Sequence, residues 1–180
     1  MSRRLTLLIG AIVFLTLAII GGREFMLYET KKYSPEALAE YNSAQVMIQI
    51  AYSRPAKKGR VIFGDLVPYG KWWRTGANEA TQMTLSNDIV FNANEVLPAG
   101  KYSIVTIPNK KEWTIIFNAK IPDWGTDYSP EFDVLRVVTP VEALPGEVEH
   151  FTIDFTEENS EPRLILAWDQ TKVSVPFKVL

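Results

Sequence analysis

Residues 45–53 read QVMIQIAYS, and their period decides the fold. Val46, Ile48, Ile50 and Tyr52 alternate with Met47, Gln49, Ala51 and Ser53. A period of two over this length is the pattern of a half-buried strand. Downstream the same signal recurs in short runs, at 82–85, 89–93, 101–107, 113–117, 134–138, 148–155, 163–167 and 172–179. Turn formers separate them: Ser86-Asn87-Asp88, Pro98-Ala99-Gly100, Pro108-Asn109-Lys110, Pro145-Gly146, Glu158-Asn159-Ser160 and Asp169-Gln170. Many short strands with no long helical period predict an all-β, antiparallel β-sandwich, jelly-roll-like, over residues 44–180. Pro176 suggests an edge position for the last strand.

Upstream the pattern changes twice. Residues 35–42 open with Ser34-Pro35-Glu36, a capping serine, a first-turn proline and an acidic residue. Leu38 and Tyr41 lie three apart, so a short linker helix is predicted within a juxtamembrane segment, residues 23–43. Residues 5–20 (LTLLIGAIVFLTLAII), from Leu5 through to Ile20, are uncharged and apolar all round. With Gly21 and Gly22 the run reaches the length of a bilayer-spanning helix. A cleaved signal peptide is the alternative. However, the apolar run is long for one, and Ile stands three back from the best small-residue site. The expectation is a transmembrane signal anchor over residues 1–22, with the lipid bilayer as its partner. Arg3, Arg4 and the short leader favour a single pass through a bacterial inner membrane with the C-terminal domain in the periplasm.

Composition excludes several function classes. The net charge is -2, which offers no basic stripe for nucleic acid. There is no cysteine and only one histidine, so disulfides, thiolate zinc sites and multi-histidine metal centres are ruled out. No cofactor or metal is expected.

Residues 52–81 (YSRPAKKGRVIFGDLVPYGKWWRTGANEAT) concentrate the chemistry-bearing side chains. Tyr52, Arg54, Arg60, Tyr69, Trp73, Arg74, Asn78 and Glu79 form either a ligand-binding surface or a structural polar network. In the first reading Arg54 and Arg74 grip an anion or a sugar hydroxyl beside Tyr69 and Trp73. In the second, these groups pin a long loop to the sandwich. Asp65 and Glu79 are a conceivable carboxylate pair for glycoside hydrolysis, although sequence spacing says nothing of their separation. Glu149 and His150 are neighbours on a strand and point to opposite faces. Asp123, Asp127, Glu131 and Asp133 read as a solvated acidic loop, and Trp113, Trp124 and Trp168 as packing at strand ends. No catalytic set emerges.

The blocks YSRP, GR, FGDLVPYGKWWRTGANEAT, LPAGKYSIVTIP, EWTIIFN, WGTDYS and VSVPFKV resemble, in this order, an uncharacterised bacterial family, the domain of unknown function twenty-nine eleven. The resemblance covers about residues 44–179 and implies an extracytoplasmic address and no established activity. Trp72 departs from the family, which usually has an aliphatic residue there, and the leader looks retained rather than cleaved. The expected function is a membrane-anchored, non-catalytic accessory subunit of a larger membrane assembly, with other membrane-protein subunits as partners. The alternatives are a module binding a small anion or carbohydrate, and a hydrolase acting on glycans.

Overall fold

A computed structural model describes residues 3–92 and 94–180, with side chains from residue 7 onward. It divides into two compact units, a helix ending at Tyr33 and a β-domain, Ser34–Leu180.

Helix α1 (Arg3–Tyr33) is 31 residues long. Its stretch Leu7–Tyr33 has a mean hydropathy of 1.9 and is long and apolar enough to cross a membrane. A signal sequence meets the same test of length and composition. The apolar side chains point outward on every side, Phe14 being 75% exposed. Arg3, Arg4 and Leu5, invoked above for orientation and anchoring, have side chains outside the described set. Gly21-Gly22 does not end the helix. Charged and apolar residues of good helix propensity follow, Lys32 pairs with Glu29 at 2.5 Å, and the first proline comes at Pro35.

The β-domain is one nine-stranded antiparallel sheet, as the periodicity indicated. The strands are β1 (Glu36–Asn42), β2 (Met47–Ser53), β3 (Gln82–Leu85), β4 (Ile89–Phe91), β5 (Glu95–Leu97), β6 (Gly100–Pro108), β7 (Glu112–Asn118), β8 (Asp133–Glu158) and β9 (Glu161–Val179). Their order is β1-β2-β3-β6-β7-β8-β9-β4-β5. The sheet folds over through β8. The first part of β8 pairs with β7 and the remainder with β9. The two faces meet over a core that includes Ile48, Ile50, Met83, Trp113, Ile153 and Trp168. Tyr41 packs edge-on against Phe177 at 5.2 Å and Phe91 stacks on Phe117 at 5.1 Å, joining strands that are not neighbours in the order.

Three expectations need correction. The segment predicted as a short linker helix is β1. Its local propensity is helical, but full pairing with β2 and burial of Ala39 and Tyr41 against the core override it. The runs at 134–138 and 148–155 are one strand, β8, and those at 163–167 and 172–179 are likewise one strand, β9, which passes through Asp169 at φ 55° without turning back. Pro145-Gly146 falls where the register of β8 with β9 shifts, between Ala143 and Val148, and makes an irregularity rather than a turn. Pro176 lies inside the order, not at an edge. It sits after the pairing with β8 ends at Val173 and before the pairing with β4 starts at Phe177, where no ladder N–H is required. Of the run at 89–93, Ala93 lies outside the described residues. The hairpin between β8 and β9 has Asn159 and Ser160 at φ 52° and 60°, the left-handed pair that a two-residue connection of matching twist requires.

Candidate functional site

The loop between β2 and β3 is packed, not splayed. Ile62 and Val67 are buried in the core, and the Val67 N–H donates to the Ile62 carbonyl at 2.9 Å. Trp73 exchanges two backbone hydrogen bonds with Thr106 of β6, at 2.7 and 3.0 Å. Its indole stacks on Trp168 at 5.8 Å and meets Phe151 at 4.9 Å, within an aromatic cluster that Phe63 and Trp113 complete. Gly76 has φ +144°, and a Cβ there would lie 2.9 Å from the Ser53 carbonyl oxygen.

The first half of the loop continues beyond β2 and runs along β8. The Phe151 N–H donates to the Pro55 carbonyl at 3.0 Å and the Lys57 N–H to the Glu149 carbonyl at 2.7 Å. Arg54 adds its side chain to this seam: Nε donates to the Phe151 carbonyl at 3.1 Å and a terminal nitrogen to Thr152 Oγ1 at 2.8 Å. Arg60 curls back on its own turn, donating to the carbonyls of Lys57 (3.0 Å) and Ala56. Buried Tyr52 bonds the backbone of Ile153. Burial raises its phenol pKa. Arg54 and Trp73 therefore hold the loop on the sheet, Tyr52 ties β2 to β8, and Arg60 closes the loop's own turn.

The remaining four of the eight are dispersed. Tyr69 is partly exposed, with Lys110 Nζ 5.8 Å from its ring centre. Asn78 adopts φ +57°, and its buried amide donates to the Ser34 carbonyl at 3.4 Å. Arg74 makes no hydrogen bond or ion pair among the described residues, and burial lowers the pKa of its guanidinium. It borders a crevice of about 10 Å³, the room of one water, with Ser103, Gly125 and Tyr128. Glu79 instead lines a separate cleft of about 540 Å³ on the outer face of β1, β2 and β3, with Glu36, Leu38, Ala51, Ser53 and Gln82. Among the described residues, Arg54 engages the backbone and a side chain of β8, whereas Arg74 borders its own small crevice.

Other sequence candidates resolve similarly. Asp65 is exposed and lies outside the Glu79 cleft. His150 is exposed, and the Glu149 carboxylate accepts from the Lys58 N–H at 2.8 Å. Trp113 and Trp168 are core residues, whereas Trp124 is partly exposed. Asp127 and Asp133 of the acidic loop are engaged by Lys120 (3.0 Å) and Arg136 (2.6 Å).

Two polar clusters had no signal in the sequence. Lys57 Nζ lies 2.7 Å from Asp169 and 2.8 Å from Glu147, and hydrogen bonding to Asp169 and then Glu147 raises its pKa. Tyr128 donates to Asp133 at 2.8 Å. Its pKa is pushed up to about 12 by burial first and by that carboxylate second. Each brings together residues remote in sequence or of unremarkable spacing.

The family profile that matches residues 34–177 is described as protein of unknown function (DUF2911). No curated protein and no solved structure matches the chain.

Proposed function

The chain belongs to the DUF2911 family, and on that premise we propose that it is a membrane-anchored interaction subunit presenting a rigid β-domain at the surface of the bilayer. The observation that carries this reading is helix α1, whose apolar side chains are exposed along its length. An unshielded apolar surface of this size needs lipid or apolar protein around it. The β-domain complements the anchor. Tyr52, Arg54, Arg60 and Trp73 engage the fold itself, which suits a presented surface better than a reaction centre. Arg3 and Arg4 ahead of the apolar run support an inner-membrane orientation with the β-domain in the periplasm.

The test is extraction followed by sizing. Alkaline carbonate should leave the chain in the membrane pellet, and native mass spectrometry from mild detergent should find it with other membrane proteins. A chain released by carbonate, or always emerging alone, overturns the reading. A protease that digests residues 34–180 in intact spheroplasts checks the orientation.

The cleft beside Glu79 favours a second reading, a carbohydrate-binding module. Glu36, Glu79 and Gln82 supply hydroxyl partners around an apolar floor of Leu38 and Ala51. Calorimetric titration with neutral oligosaccharides, repeated on Glu79→Gln, tests it. Heat that is absent, or unchanged by the substitution, removes it.

A further inference from the structure

β1 ends the strand order and, among the described residues, leaves one side of its backbone without a neighbouring strand. The hydrogen bonding shows which groups face that side. The Arg54 N–H donates to the Pro35 carbonyl at 2.8 Å, and the Ser43 N–H donates to the Val46 carbonyl at 2.9 Å. Both pairs extend the β1–β2 register. Alternation in an antiparallel ladder then assigns Ala37, Ala39 and Tyr41 as the residues bonded to β2. Leu38, Glu40 and Asn42 direct their N–H and C=O groups away from it, as does the backbone of Glu36.

Natural sheets blunt such edges with charged side chains, lysine above all, or with proline, a bulge or a very short strand, and the carboxylates of Glu36 and Glu40 would repel an acidic strand but not a basic one. The three-residue β5 at the opposite end is blunted by length. β1 has seven residues, no lysine or proline, and an unbroken register. Its outward side chains read Glu36, Leu38, Glu40, an acid–apolar–acid alternation. Leu38 is 55% exposed and walls the 540 Å³ cleft together with Ala51.

We propose that β1 is a docking edge for an extended segment of a partner protein with the alternation basic–x–apolar–x–basic. Strand addition would satisfy the outward N–H and C=O groups. The apolar side chain of the added strand would sit beside Leu38, and its two cations would stand opposite Glu36 and Glu40, the favourable cross-strand arrangement. A second copy of this chain fits poorly. The register that buries Leu38 on Leu38 sets Glu36 against Glu40 twice, and a shift by one pair sets Leu38 against a carboxylate. The inference rests on the interaction-subunit reading and supplies its contact surface.

The test uses the full chain in uncharged detergent micelles and two labelled heptapeptides, Ser-Lys-Thr-Val-Thr-Lys-Ser and its Glu-for-Lys counterpart, followed by fluorescence anisotropy. The lysine peptide should bind at least about tenfold more tightly than the glutamate peptide and weaken as salt rises. Leu38→Pro removes an outward N–H without breaking the β1–β2 ladder and should weaken binding at least about tenfold. Leu38→Lys keeps the ladder intact and leaves Glu36 and Glu40 in place, so it should narrow the preference for the lysine peptide without reversing it. Equal binding of both peptides, survival of binding in Leu38→Pro, or no binding at about 1 mM peptide overturns the proposal. So does a dimer of the chain that Leu38→Pro dissolves. Mild-detergent extracts separate the two readings. Companions retained by Leu38→Pro overturn the edge and leave the subunit reading standing. A chain that emerges alone with and without the substitution overturns the subunit reading, and the titration then decides the edge.

Discussion

The Tyr52 hydroxyl accepts a hydrogen bond from the Ile153 N–H at 3.0 Å and donates one to the Ile153 carbonyl at 3.1 Å. One side chain thus serves as the strand partner of a backbone position in β8, and it does so inside the core, where Tyr52 and Ile153 are both buried. Tyr52→Phe preserves the ring contact with Phe151 and strands both backbone groups of Ile153. Unsatisfied buried groups cost about 1–3 kcal/mol each. The expected loss is about 2 kcal/mol, read from urea unfolding followed by tryptophan fluorescence. An unchanged midpoint would show that solvent or another donor replaces the phenol.

The two central arginines should behave in opposite ways. Arg54 bonds the Phe151 carbonyl and Thr152 Oγ1, so Arg54→Ala should destabilise the β-domain by about 2 kcal/mol. Arg74 is partly buried with no hydrogen-bond partner among the described residues, and its desolvation opposes the charge. Arg74→Met keeps the stem and removes the cation. It should leave stability unchanged or raise it by up to about 1 kcal/mol. Equal losses from the two substitutions, measured side by side, would refute the distinction.

Gly76 carries a backbone constraint that no other residue type meets. Its φ of +144° is outside the range of L side chains, and the nearest atom to an added Cβ is the Ser53 carbonyl oxygen, which belongs to β2 and cannot swing aside. Gly76→Ala should cost about 2 kcal/mol or more. Gly59→Ala is the informative comparison. Its φ is +69°, but an added Cβ meets nothing within 4 Å, so a smaller loss of about 1 kcal/mol is expected. Matching losses at both sites would mean that backbone conformation alone, and not the contact with Ser53, sets the cost.

The legible parts of this chain are those whose cause is local. Strands β3, β6 and β7 were visible as alternation between turn formers, and the Asn159-Ser160 hairpin as turn chemistry. β1 was not, because EALAEYN has helical propensity. What makes it a strand is Ser53 through Met47 on one flank and Phe177 beneath Tyr41. β8 was divided in two because proline and glycine usually end a strand, whereas here they accompany a register shift in a strand that turns between two neighbours. The site followed the same rule. A loop of this length requires pinning, so the sequence pointed to the arginines as a set. Which arginine is bonded depends on Phe151 and Thr152, far along the chain, and no spacing within residues 52–81 encodes that.

Tyr128 provides a pH test of the acidic loop. Its hydroxyl donates to Asp133 Oδ2 at 2.8 Å with Oδ1 at 3.0 Å, while Arg136 binds the same carboxylate at 2.6 Å. The folded phenol titrates near pH 12 against about 10 when unfolded. A raised pKa favours the protonated form, so the contribution to stability is complete below pH 10 and is lost as pH rises through 12. Partial exposure screens the interaction, and about 1 kcal/mol remains as the expected value. Tyr128→Phe should lower stability by that amount at pH 8 and show no difference from the parent above pH 12. Absorbance at the tyrosinate band should lose one late-titrating phenol in the variant. If the parent lacks that late step, Asp133 is held by Arg136 alone and the loop owes nothing to the phenol.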